Sequence, residues 1–149
     1  MSNNYMQLAL AEAEAAARLG EVPVGAVIVD PALGAVIAKA GNATLAQNDP
    51  TAHAEMLAIR AAAAAIGSQR LAGLDLYVTL EPCAMCAAAI SFARIRRLYY
   101  GAEDEKAGGV AHGGRFFTQP TCHFAPEVYG GIAGQQAGRL LRDFFQARR

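Results

Sequence analysis

The chain has 149 residues, is 54% hydrophobic and balances 13 basic against 13 acidic side chains. That length suits a single domain over 1–149 with enough apolar material for a sizeable core. The absence of an eighteen-residue apolar run argues against a membrane span, and the first residues lack the basic stretch and apolar block of a secretion signal. Three cysteines, two of them three apart, do not make a disulfide framework, so a reducing cytoplasm is the expected compartment.

The charge is unevenly spread. Residues 1–93 carry four basic and eight acidic side chains, whereas residues 94–149 carry nine basic and five acidic. Arg94, Arg96 and Arg97 form one basic cluster, and Arg139, Arg142, Arg148 and Arg149 another. Arginines also suit a solvated helix end, where they complement the macrodipole, so charge alone leaves contact with nucleic acid open.

In chain order, the Ala-, Leu- and Glu-rich residues 5–19 predict a helix ending at Gly20. Val22 to Asp30 is apolar and β-branched and reads as a strand; Pro31 to Gly34 forms a turn, and Ala35 to Ala40 returns, giving a hairpin. A polar loop over 41–52 leads into a second helix from about His53 to Ile66, stopped by Gly67. Asp75 to Leu80 reads as a third strand. Pro82 then opens a helix over about Ala84 to Ala93, and Arg97 to Gly101 is a fourth strand. The Gly-rich stretch 102–122 receives no firm assignment. The last helix is expected from Gln135 to Arg148, with Leu140, Leu141, Phe144 and Phe145 on its apolar side. Strands alternating with helices predict an α/β sandwich around one sheet.

Two short pieces carry the chemistry. His53-Ala54-Glu55 and Pro82-Cys83-Ala84-Met85-Cys86 together offer one imidazole, two thiols and a spare carboxylate. Cysteines three apart with another soft ligand about thirty residues upstream can hold zinc, and three protein ligands leave a fourth position open, as in catalytic sites. Glu55 lies two residues from His53; on a regular helix the two would point to roughly opposite sides, so Glu55 suits a neighbour of the metal better than a ligand. H-x-E followed by P-C-x-x-C is the signature of zinc-dependent nucleobase deaminases. Both pieces fall at expected helix N-termini, where free N–H groups and the helix dipole favour thiolate, the form that binds metal.

Each residue also has a plainer reading. Cys83 and Cys86 could be a redox pair, but the thioredoxin setting is absent and His53 is at hand. His53 could be a buried core histidine, and Glu55 an ordinary first-turn carboxylate. Cys122 and His123, adjacent, could be a second metal pair; one buried thiol and one loop histidine is preferred. His112, in a glycine loop, is expected to be solvated.

Longer strings carry a family resemblance: Gly20-Glu21-Val22-Pro23-Val24-Gly25-Ala26-Val27, Asn48-Asp49-Pro50-Thr51-Ala52-His53-Ala54-Glu55, Leu76-Tyr77-Val78-Thr79-Leu80-Glu81-Pro82-Cys83-Ala84-Met85-Cys86, Arg94-Ile95-Arg96-Arg97 leading to Gly101-Ala102-Glu103-Asp104, and the Phe144-Phe145 end with its arginines. With these the chain resembles the bacterial tRNA-specific adenosine deaminases of the cytidine deaminase-like superfamily. The resemblance implies a three-layer α/β/α sandwich around a mixed central sheet. It implies one zinc per chain on His53, Cys83 and Cys86, and Glu55 as proton shuttle. Asn42, Ala54, Asp104 and Phe144 are implied on the substrate side. It also implies a homodimer acting on the wobble adenosine of a tRNA anticodon loop. Arg142, Arg148 and Arg149 are expected to contact RNA phosphate.

The chain departs from the family after Lys106, where Thr-Gly-Ala-Ala-Gly-Ser is usual and Ala107-Gly108-Gly109-Val110-Ala111-His112 stands here, and near His123, where an Asn-His-Arg string is usual. Two alternatives therefore stay open. One is a deaminase of a free base or nucleoside (guanine, cytosine or adenosine). The other, of a different class, is a zinc-stabilised binding module without catalysis, which would need Cys122, His123 or His112 to close the coordination.

Overall fold

The computed structural model describes residues 2–148. The elements run α1 (Ser2–Arg18), β1 (Gly25–Asp30), β2 (Ala35–Gly41), α2 (Ala54–Ile66), β3 (Asp75–Leu80), α3 (Ala84–Ala93), β4 (Arg97–Ala102), a 3-10 turn (Phe116–Thr118), β5 (Glu127–Tyr129) and α4 (Gly134–Gln146). The strands form one sheet in the order β2-β1-β3-β4-β5. β1 is antiparallel to both β2 and β3, whereas β3, β4 and β5 run parallel.

The layering follows from the two-residue period of the strands. Ala26, Ile28, Leu76, Val78, Leu98 and Tyr100 face one side and bury Ala54, Ala58 and Ala62 of α2 and Ile90 and Ala93 of α3. Val27, Val29, Tyr77 and Tyr99 face the other and bury Met6, Ala9 and Leu10 of α1 and Ala137 of α4. The expected three-layer sandwich around a mixed sheet is thus present. Alanine on the inner face of α2 lets that helix lie close to the sheet. On the opposite face Tyr77, Tyr99 and Tyr129 share one register across the parallel strands, and their rings stack at 4.4 and 5.1 Å.

Several local readings change; the first helix runs Ser2–Arg18 rather than 5–19, and the last ends at Gln146 rather than Arg148. The first strand starts at Gly25 rather than Val22, because the chain through Pro23 is still approaching the sheet: the Val24 N–H donates back to the Val22 carbonyl. The second helix starts one residue later, at Ala54, with His53 as an extended N-cap (φ −71°, ψ 152°). β5, unanticipated, is a three-residue exposed edge strand, too short to show a period. In α4, Phe144 points inward at 8% exposure while Phe145 is 46% exposed, so only one ring of the aromatic pair belongs to the core.

The closest approach of helix to sheet falls at Gly25. A Cβ there would lie 2.6 Å from the Ala13 nitrogen and would collide with the Ala9 carbonyl oxygen of α1. Gly25→Ala should therefore push α1 off β1 and destabilise the fold by about 1–3 kcal/mol, the usual range for overpacking. A denaturant midpoint unchanged from the parent would contradict this packing.

Candidate active site

α2 and α3 both begin beside the end of β3, and their N-caps are His53 and Cys83. Neither cap makes a side-chain hydrogen bond to its own helix, which leaves both side chains free to converge. His53 Nδ1 lies 3.7 Å from Cys83 Sγ and 3.6 Å from Cys86 Sγ, and the three donor atoms all lie within 4.8 Å of one another. A tetrahedral zinc with Zn–N and Zn–S bonds of about 2.0 and 2.3 Å sets its nitrogen and sulfur ligands roughly 3.6 Å apart, so the donor set fits the ion. Among the described residues no fourth His, Cys, Asp or Glu joins this group.

Electrostatics favour the same assignment. The Cys83 thiol is lowered to about 5, first by a hydrogen bond from Cys86 and then, against the cost of burial, by the N–H groups of Cys86 and Met85 and by His53. Cys86 is pushed up as the donor of that pair and by its own burial. One thiolate is thus in place at neutral pH, and the first-turn amides of α3 stabilise it.

His53 and Glu55 line one cavity of about 220 Å³ together with Val22, Val24, Asn42, Thr44, Leu80, Glu81, Cys83, Asp104 and Ala107. The helical angle expected between His53 and Glu55 does not apply, since His53 is extended and outside the helix. Glu55 is buried at 4% exposure. Burial raises its carboxyl to about 7, and the nearby Cys83 adds to the shift, against its own backbone N–H, His53 and a Cys86 hydrogen bond. A carboxyl poised near 7 can both accept and return a proton.

Of the other expected residues, Asn42 and Asp104 stand at the cavity. Ala54 is fully buried in the first turn of α2. Phe144 is not among the lining residues; its ring lies under the Arg148 guanidinium, 3.5 Å from the ring centroid. Arg148 also donates to the Phe144 carbonyl at 3.1 Å, so it closes the end of α4 rather than standing free. Arg142 lines a shallow groove with Glu103, Gly131 and Gln135. Arg149 lies outside the described residues.

Two buried carboxylates were missed. Glu21 accepts from the Asn42 amide at 3.4 Å and from the N–H groups of Leu45 and Ala46 at 3.1 and 2.8 Å, fixing the loop that carries Asn42. Glu81, fully buried by side chain, accepts from the N–H groups of Asp104, Val110, Ala111 and His112 and pairs with the His112 imidazole at 2.8 Å. His112 is therefore a half-buried partner of Glu81, not a solvated residue. The Glu81 contact raises the imidazole above its ordinary value. Burial works to raise Glu81, but its N–H donors and His112 outweigh that and hold it below the usual carboxylate range. The only sequence signal was a carboxylate at the end of an otherwise apolar strand. Cys122 is half-buried, with Sγ 3.5 Å from Ser91 Oγ and donating to the Phe124 carbonyl at 3.2 Å, and His123 is exposed. Neither joins the metal group.

Residues 1–102 match the family of the cytidine and deoxycytidylate deaminase zinc-binding region. The chain is 60% identical over 146 residues to the tRNA-specific adenosine deaminase of Agrobacterium fabrum, covering 98% of this chain and 95% of that protein. The chain belongs to the tRNA-specific adenosine deaminase family of zinc-dependent deaminases. The Bacillus subtilis member is 40% identical, covering 97% of this chain and 89% of that one. A solved structure from work on A-to-I editing by tRNA:A34 deaminases superposes with a TM-score of 0.90 at 60% identity, covering 93% of this chain and 99% of that one. The guanine deaminase of Bacillus subtilis is more distant, with a TM-score of 0.65 at 33% identity, 98% of this chain and 92% of that one. The enzyme is thus a zinc-dependent hydrolase, and His53, Cys83 and Cys86 form a group able to hold one zinc per chain. Among the described residues no helix is long and apolar enough to cross a membrane.

Replacing Cys86 by Ser should weaken zinc binding by more than the roughly 10–100-fold that losing an outer partner costs. Metal content per chain after dialysis against a mild chelator reads this, and a variant that keeps one zinc would remove Cys86 from the ligand set.

Proposed function

We propose that the enzyme hydrolyses the wobble adenosine of a tRNA anticodon loop to inosine, with Glu55 as the proton shuttle. The observation that carries the chemistry is a buried carboxylate beside a three-ligand metal group in one cavity. The 60% identity to a tRNA-specific adenosine deaminase supports the substrate. The cavity is smaller than the roughly 300 Å³ at which ligand pockets usually begin, so it suits a single base turned out of its stack rather than a folded loop. Unpaired anticodon bases are easily turned out.

In this reading the zinc supplies Lewis acidity that makes a water acidic enough to deprotonate near neutral pH. Glu55 takes the proton from water as the oxygen attacks C6 of adenine, and returns it to ring N1. It then carries the second water proton to the departing amino group, so that ammonia leaves and the C6 carbonyl of inosine remains. Asn42 and Asp104 line the cavity from opposite loops and hold the base. The amides at the start of α3 favour negative charge on the attacking oxygen.

Outside the cavity, Arg142, in the groove with Glu103, and the exposed Arg148, stacked over Phe144, are the phosphate contacts of this reading, together with Arg149 from the sequence. Phe92, 74% exposed on α3, offers an apolar surface to a second copy, and a homodimer is part of the reading. Zinc-bound thiolates and an unpaired Cys122 suit the reducing cytoplasm where tRNA is found.

The structural likeness to a guanine deaminase gives a free-base substrate a footing as a second reading. Turnover of an anticodon stem-loop with a wobble adenosine, measured beside adenosine, guanine and cytosine, separates the two: the stem-loop should be deaminated and the small substrates should not. Glu55→Ala should keep zinc and fold while losing about a hundredfold or more in kcat, as removal of a general acid–base implies. Near-parental turnover would take the shuttle role from Glu55.

A further inference from the structure

The loop over 104–112 contributes Asp104 and Ala107 to the cavity, yet it contains no regular secondary structure to hold it. One side chain gathers much of its anchoring. Glu81 Oε1 accepts the Asp104 N–H at 3.1 Å and meets His112 Nδ1 at 2.8 Å. Its Oε2 accepts the N–H groups of Val110, Ala111 and His112 at 3.2, 3.0 and 3.1 Å. The two ends of the loop, Asp104 and His112, are therefore tied to the same oxygen. Between them the backbone closes on the metal-bearing helix: the Gly109 N–H donates to the Pro82 carbonyl at 2.8 Å, and Gly108 bridges to Cys83. The approach is close enough that a Cβ on Gly108 would meet the Glu81 carboxylate, and one on Gly109 would lie 2.6 Å from the Ala84 nitrogen. Asp104 spends one carboxylate oxygen on the N–H groups of Lys106 and Ala107, which fixes its side chain relative to the loop but not the loop relative to the cavity.

We propose that Glu81 and His112 are positioning residues: their pair clasps the 104–112 loop along the cavity wall and so holds Asp104 and Ala107 against the bound nucleotide. This rests on the reading that the cavity takes the substrate base. The chemistry itself runs on Glu55 and the metal group, which the His112 side chain does not touch. Loss of the imidazole removes one of the two groups held by Glu81 Oε1, leaving the Asp104 N–H alone on that oxygen, so the two ends of the loop are no longer tied together there. The loop then loosens, and substrate binding suffers before turnover does.

The test uses the zinc-loaded enzyme with His112→Leu and His112→Asn. The asparagine amide occupies the place of Nδ1 and can donate to Glu81, whereas leucine keeps the bulk and cannot donate. For His112→Leu the expected result is a KM for the anticodon stem-loop raised about tenfold, kcat within twofold of the parent, and one zinc retained. Amide exchange at residues 110–112 should be about tenfold faster. His112→Asn should restore both KM and exchange. A merely structural role would instead lower kcat, zinc and thermal stability together, and that pattern overturns the proposal. So does a parental KM in His112→Leu, with or without faster exchange, or a failure of His112→Asn to restore it. If the parent enzyme leaves the stem-loop untouched but deaminates a free base or nucleoside, the tRNA reading falls by itself. The same KM-against-kcat comparison on that substrate, with the exchange rates, still decides the clasp.

Discussion

The structure depends on the meeting of two helix N-termini at one end of β3. Each helix start brings a soft ligand on its cap residue, and each brings free amides and a positive dipole end to the same spot. The consequence is a place where thiolate and developing negative charge are both stabilised by backbone that is rigid before any substrate arrives. The sheet makes this possible. Its parallel β3–β4 pair requires a crossover helix, which is α3, and α2 lies against the same face through a row of alanines.

Around that centre, two buried carboxylates hold loops in place. Glu21 binds the loop of Asn42 and Glu81 binds the loop of Asp104. The two carboxylates do the same work, accepting N–H groups that irregular backbone cannot pair within itself. Among the described residues no buried side-chain nitrogen or oxygen lacks a hydrogen-bond partner, so these loops are part of the folded framework. Substrate-facing residues therefore inherit the rigidity of the sheet through these two carboxylates.

The legibility of this arrangement in the sequence was uneven for physical reasons. Long apolar runs and the Cys-x-x-Cys spacing are local signals, and they located β3, α3 and the ligand set. The cap position of His53 was less accessible, since helix boundaries depend on tertiary context by a residue or two, and this one residue decides whether His53 and Glu55 share a cavity. β5 could not be read because its three residues gain their strand geometry only from pairing with β4. Glu81 and His112 lie 31 residues apart, and nothing local marks either as a partner of the other. For the C-terminal arginines charge alone does not show the local role: Arg148 stacks over the Phe144 ring at the end of α4, a contact that its sequence position does not announce.

The central claim is an open three-ligand zinc site in which Glu55 is a neighbour and not a ligand. Zinc X-ray absorption on the loaded enzyme tests it directly. The account predicts two sulfur scatterers near 2.3 Å, one imidazole nitrogen near 2.0 Å and one further light oxygen from water. That oxygen should be unchanged in Glu55→Gln and should be displaced by a transition-state analogue of purine hydration. A shell closed by a fourth protein side chain, or one that changes when Glu55 is replaced, would contradict it.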